Sequence, residues 1–245
     1  MCKSVSLIAA ILLLGLAVNI SNASLIAQYQ FEGNANDSSG NGNNGTFIGG
    51  ATTINDAQRG QVLSLDGVND YVDCGTGPAI VGTGGFTVAA WIKTTNPLNG
   101  AIVTQRDPYG PDGSYALDVV NHRVEMHVYN SGMGLNFRSS QTVDDGTWHF
   151  VVGVRRNAGS IDIGEIYIDG NLVLTSTATS KSLNSVGVLI GKPYTTEYYF
   201  KGLIDDVRIY NNDLSAAEIR ALIPEPATLA LLGLGAILLK RRSRI

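Results

Sequence analysis

The sequence predicts an all-β protein, two antiparallel sheets packed face to face, with an apolar segment at each end that stands outside the sandwich. Three observations carry this expectation. Apolar and polar residues alternate over short runs, the period of a strand with one buried face. Glycine occurs 29 times, enough to place a turn between each pair of short strands. Only one stretch, near residue 215, carries a convincing helix-start signal.

At the N-terminus, Lys3 is followed by an apolar run from Leu7 to Val18 and by the small residues Ser21-Asn22-Ala23. That order is a signal peptide's, cleaved after Ala23. The alternative, a retained anchor helix, is disfavoured because the run is shorter than the ~20 residues a span needs. Residues 24–223 then form one domain, long enough for a well-buried sandwich core. Phe86, Val88, Ala90 and Ile92 share one strand face, and Thr87, Ala89, Trp91 and Lys93 the other. Tyr115, Leu117 and Val119 alternate likewise. Beyond the Asn121-His122 turn, Val124, Met126 and Val128 point inward, while Arg123, Glu125, His127 and Tyr129 point outward. Trp148, Phe150, Val152 and Val154 define a further strand, with Trp148 expected in the core and His149 at the surface. Ile166 to Leu174 reads as a hairpin, because Asp169-Gly170 accepts the positive φ angles of a tight turn. Ser215-Ala216-Ala217-Glu218 is a capping box that opens a helical turn reaching about Leu222.

The C-terminal segment begins with Pro224-Glu225-Pro226 and continues as an apolar stretch, Leu229 to Leu239, closed by Lys240, Arg241, Arg242 and Arg244. At ~1.5 Å per residue this helix spans a ~30 Å hydrocarbon core only marginally, with its basic end expected on the cytoplasmic side. The segment closely resembles a PEP-CTERM sorting signal. The resemblance implies a Gram-negative bacterium, cleavage by an exosortase near Pro224-Glu225-Pro226, and delivery to the cell surface or an extracellular matrix after transient anchoring in the inner membrane. An ordinary tail anchor is the alternative.

Charge and cysteine content narrow the function. The two end segments hold five of the seventeen Lys and Arg and one of the twenty-one acids, leaving twelve basic against twenty acidic residues, a net of −8, in the domain. An acidic domain without a basic stripe argues against a nucleic-acid partner. Cys74 is the one cysteine left after processing at Ala23, so no internal disulfide is available and a buried thiol is expected.

Five motifs occur in a recognisable order: Asp66-Gly67-Val68-Asn69-Asp70-Tyr71-Val72; the strand ending Trp91-Ile92-Lys93; Gly146-Thr147-Trp148-His149; Ile166-Tyr167-Ile168-Asp169-Gly170; and Gly202-Leu203-Ile204-Asp205-Asp206-Val207-Arg208-Ile209-Tyr210. Together they resemble laminin-G-like, concanavalin A-like jelly rolls over essentially all of residues 25–222. The resemblance implies a lectin-like sandwich that binds glycans or proteins outside cells, often with one structural calcium ion at its rim.

Strict alternation places Asp205 on the face of Leu203, Val207 and Ile209, where a carboxylate needs a cation, a basic side chain or backbone N–H groups beside it. The loop from Phe31 to Gly42 is rich in side-chain oxygens. In the family the N-terminal strand lies near the C-terminal one, so the expected calcium ligands are Asp37 and Asp205 with Glu32, Asn34 and backbone carbonyls.

Catalysis is not expected. Glycoside hydrolysis needs two carboxylates converging on one bond, whereas Asp162 and Glu165 fall on opposite faces of a strand and Asp169 is a turn residue. His122, His127 and His149 are too scattered for a zinc site. For ligand binding, aromatic faces and polar groups are wanted on a rim or sheet face. The candidates are Tyr109, Tyr194, Tyr198 and Tyr199 on loops and His127 and Tyr129 on the outward row. The expected function is an exported binding module for carbohydrate, with a protein-binding or structural surface component as the alternative and a glycoside hydrolase as a minor one.

Overall fold

The computed structural model describes residues 24–105, 112–131, 133–193 and 197–223. The segment expected to be a signal peptide, with Ala23, the C-terminal segment with Pro224, Glu225 and Pro226, and Tyr109 and Tyr194 lie outside them. The chain forms fifteen strands and one helix: β1 (Leu25–Tyr29), β2 (Thr46–Ile48), β3 (Thr52–Asp56), β4 (Gly60–Asp66), β5 (Tyr71–Asp73), β6 (Phe86–Lys93), β7 (Gly100–Gln105), β8 (Ser114–Val120), β9 (Arg123–Tyr129), β10 (Met133–Thr142), β11 (His149–Asn157), β12 (Ile161–Ile168), β13 (Asn171–Thr179), β14 (Val188–Ile190), β15 (Lys201–Tyr210) and α1 (Ala216–Ala221).

The strands make two antiparallel sheets. One runs β13-β12-β11-β6-β15-β4-β3, and β1 also pairs with β15, giving eight strands. The other runs β10-β9-β8-β7-β14-β5-β2. Ten residues long, β15 holds β4 along Lys201 to Ile204 and β1 along Val207 to Tyr210, with β6 on its other side. The N-terminal strand therefore does lie beside the C-terminal one. Tight turns close the hairpins as the residue types require: Asn121 and His122 (φ 47° and 74°) join β8 to β9, and Asp169 and Gly170 (φ 51° and 78°) join β12 to β13.

The main core lies between the sheets, where the predicted rows Phe86–Ile92, Tyr115–Val119 and Val124–Val128 meet. A second cluster sits on the outer side of the eight-stranded sheet. Ala89, Phe150, Val152, Val154 and Tyr167 are covered there by Leu214 and by Ile219 of α1, so the middle strands are buried on both faces. The helix opens with the expected capping box, Ser215 and Glu218 each bonding the other's backbone N–H.

Two sequence expectations are corrected. Trp148 stands half-buried at the edge of the outer face, and His149 is the buried one, 8% exposed. The reason is electrostatic: His149 is held between the Asp169 and Asp145 carboxylates at 2.9 and 3.3 Å. Asp205 does not face the inter-sheet core. A β-bulge between Asp205 and Arg208, with Asp206 at φ 46°, inserts an extra residue and shifts the alternation. Ile204, Val207 and Ile209 thus all reach the core, while Asp205 turns outward opposite Trp91.

Candidate ligand-binding site

Register alone assembles a surface on the outer face of the seven-stranded sheet. Asn136, His127, Ala116, Thr104, Leu189 and Asp73 are successive partners across β10, β9, β8, β7, β14 and β5. One step along, Glu125 stands opposite Asp118, and Asp118 opposite Ala101. The small residues Ala101 and Ala116 leave a depression in this row. His127, Asp118 and Tyr198 rise around it, forming a cleft of about 150 Å³.

The walls of the cleft are held from several elements. The imidazole Nδ1 of His127 lies 3.6 Å from Asp118 Oδ2. The Thr104 hydroxyl donates to the Lys192 carbonyl at 2.7 Å, and Ala101 N–H to the Tyr198 carbonyl at 3.2 Å, so the segment bearing Lys192 and Tyr198 is tied to β7 at two points. Tyr198 adopts φ 69° and stays 51% exposed at the wall of the cleft. Beside it, Tyr199 and Tyr71 approach to 6.3 Å between ring centroids, with the Lys192 ammonium 4.3 Å from the Tyr71 ring centre. A depression with an apolar floor, an imidazole–carboxylate pair at one side and aromatic faces at the other fits a hydroxyl-rich ring: apolar C–H faces stack, and hydroxyls find donors and acceptors.

Of the sequence-predicted residues, His127 and Tyr198 meet in this cleft. Tyr199 belongs to the adjacent aromatic group, and Tyr129 lies two residues beyond His127 on the same face without lining the cleft. Thr104, Asp118, Tyr71 and Lys192 were not anticipated. Asp118 was legible, since it alternates against Leu117 and Val119 and must point outward. Lys192 and Tyr71 join only through tertiary pairing.

Residues 66–220, more than half of the chain, match the model of the concanavalin A-like lectin/glucanases superfamily. The chain belongs to that superfamily. Residues 222–244 match the PEP-CTERM protein-sorting motif, which marks an exported protein sorted by an exosortase. No curated protein matches. Among solved structures, the fold is similar to domain 4 of AbnA, a GH43 extracellular arabinanase from Geobacillus stearothermophilus, in complex with arabinotriose (TM-score 0.67, 19% identity, 82% of this chain and 99% of that one). It is also similar to the binding domain of Paraclostridial Mosquitocidal Protein 1 (TM-score 0.64, 14% identity, 81% and 51%). A third is botulinum neurotoxin type C, whose cell entry depends on interaction with two ganglioside molecules (TM-score 0.56, 15% identity, 81% and 50%). The chain thus spans nearly all of the arabinanase domain and about half the length of the two toxin chains. At these identities the likeness is one of fold.

Within this concanavalin A-like frame, the residues expected to hold calcium have other partners. Asp37 accepts backbone N–H groups from Gln28, Ser39 and Asn43 at 2.9, 2.9 and 3.0 Å. Burial works against the charge of Asp37, and these donors overcome it, holding the carboxyl below its usual range. Asp205 accepts from Arg59 at 2.7 Å and from Asp206 N–H at 2.8 Å. Asn34 and Glu32 are exposed. Calcium takes six to eight oxygens around one point, and among the described residues no three His, Cys, Asp or Glu side chains gather to hold a metal ion. The donor set of Asp37, Asp205, Glu32 and Asn34 does not fit the ion as expected; Asp205 finds its charge partner in Arg59 because the bulge turns it outward to the β3–β4 turn.

The strand carboxylates are likewise engaged. Asp162 is fully buried and paired with Arg155 at 2.9 Å. Glu165 pairs with Arg156 at 2.9 Å and accepts from the Tyr167 hydroxyl at 2.8 Å. Burial would raise the Glu165 carboxyl, but Arg156 and Tyr167 outweigh it and hold it below its ordinary value, the opposite of what a general acid needs.

Proposed function

We propose that this chain is an exported, non-catalytic carbohydrate-binding module that seats a sugar in the cleft between His127 and Tyr198. The observation that carries the reading is the cleft itself, where register alone sets a small-residue floor beside an imidazole–carboxylate pair and an exposed tyrosine. The arabinotriose complex of the arabinanase domain supports it by showing that a sandwich of this shape accommodates a saccharide. The sorting motif supports a site of action outside the inner membrane, at the surface or in the extracellular matrix of a Gram-negative bacterium. In this reading signal peptidase and exosortase are the processing partners, and the glycan is the lasting one.

The test is a glycan screen followed by titration calorimetry, run in calcium and again in chelator. Tyr198→Ala is expected to weaken binding of the selected sugar about tenfold, the scale of one aromatic contact beyond its area burial, and His127→Ala to weaken it comparably. Loss of binding in chelator would bring a calcium ion into the module. A folded protein that binds no glycan, or a Tyr198→Ala variant indistinguishable from wild type, overturns the reading and leaves a protein-binding or structural surface component.

A further inference from the structure

On the opposite side of the sandwich, the outer face of the eight-stranded sheet carries a second and roomier depression. Ser64, Leu203 and Lys93 are successive partners across β4, β15 and β6, and Lys201 lies two residues before Leu203 on the same face. Over this row the segments bearing Thr94, Thr95 and Gly146 rise to make a cleft of about 330 Å³.

Glycine lets the strands beneath this row approach closely. Gly202, at φ 142°, lies so close to β6 that a Cβ there would meet the Lys93 carbonyl oxygen at 2.4 Å. Gly146, at φ 79°, closes the far side, its N–H bonded to the Thr94 carbonyl at 3.0 Å.

The charge of this cleft is unlike that of the domain around it. In a domain with a net charge of −8 it is lined by two lysines and no acid. Lys93 is engaged with Asp56 at 3.3 Å and lies 5.9 Å from the Trp148 ring centre. Lys201, by contrast, makes no ion pair among the described residues and is exposed. Its strand partner Asp66 spends its carboxylate on the backbone of Val68 and Asn69. An ammonium without a carboxylate partner, beside the hydroxyls of Ser64 and Thr95, suits an anion carried on a hydroxyl-rich ligand, while the buried Thr94 hydroxyl donates to the Lys201 carbonyl at 2.7 Å and fixes that strand.

We propose that this cleft is a second binding site, separate from the His127–Tyr198 cleft, that takes a carboxylate-bearing sugar of an acidic polysaccharide, with Lys201 as the residue that reads the charge. A module with sites on both faces is able to engage two polysaccharide strands at once.

The experiment is affinity electrophoresis of the full-length chain through gels containing polygalacturonate or its fully methyl-esterified form, which keeps the polymer and removes the charge. Wild type is expected to be retarded by the acid polymer and not by the ester, with retardation fading as salt rises. Lys201→Gln is expected to weaken it about two- to fivefold, the range of one exposed ion pair, with an unchanged melting temperature, whereas Tyr198→Ala is expected to leave it intact. Equal retardation by the ester, no retardation of wild type, an unaffected Lys201→Gln variant, or loss of the effect in Tyr198→Ala would each overturn the proposal. Because the first cleft is read with its own ligand and variants, failure of either site is distinguishable from failure of the other.

Discussion

At the scale of single residues, His149 has the clearest consequence. The Asp169 carboxylate, followed by Asp145, raises its pKa above the ordinary 6.5 against the opposing effect of burial. The native state then keeps a proton that the unfolded chain releases near 6.5. The stabilisation is complete below that pH and is lost as pH rises through the raised value. Melting temperature is therefore expected to fall by a few degrees between pH 6 and pH 8, and His149→Gln to flatten that slope. Parallel slopes in the two proteins would refute the assignment. His149 also marks a limit of reading residues one at a time. Alternation correctly gave Phe150, Val152 and Val154 a common face, but the partners that bury His149 come from the turn after β12 and from Asp145. Asp205 shows the same limit. Its need of a charge partner was legible, but Arg59 as that partner was not, since the two are 146 residues apart.

At the scale of elements, periodic strands and turn residues were readable wherever both were present. The β8–β9 and β12–β13 hairpins and the helix cap follow from local chemistry. Short strands such as β2, β5 and β14 are too brief to show a period, and β7 is buried along its whole length, so it has none. The buried pair between β11 and β12 is a further product of pairing. Arg155 and Asp162 are each fully buried, and Arg155 also donates to Ser180 and to the Lys181 carbonyl just beyond β13, tying three strands at one end of the sheet. Arg155→Met strands the Asp162 carboxylate and is expected to lower the unfolding free energy by about 3–5 kcal/mol in urea titrations. Arg155→Met with Asp162→Leu is expected to recover most of that loss, because Arg155 Nε and Nη1 find no acceptor among the described residues and removing both charges removes their desolvation cost. A double variant as unstable as the single one would show that the pair is itself the source of stability.

At the scale of the whole molecule, the core contains a reporter of its own opening. Cys74 is a free thiol, 3% exposed, packed with Tyr29 in the inter-sheet core, and burial pushes its pKa up to about 12. In a Cys2→Ser background, Cys74 is expected to resist alkylation in native buffer and to react at the rate of global unfolding as urea is added. Rapid labelling without denaturant would mean that this end of the sandwich opens independently. The sequence by itself determined the two-sheet class, the inward and outward rows, the tight turns, the helix cap and the sorting tail, because each depends on contacts among near neighbours or on composition. Only the tertiary structure decided where the clefts lie and which charges meet. The bulge at Asp205–Asp206 shifts the face of one strand, and the crossing of β15 between β6, β4 and β1 brings Lys201 beside Lys93 and Arg59 beside Asp205. Such pairings depend on strands distant in sequence, where no local period reports which residue comes to lie beside which.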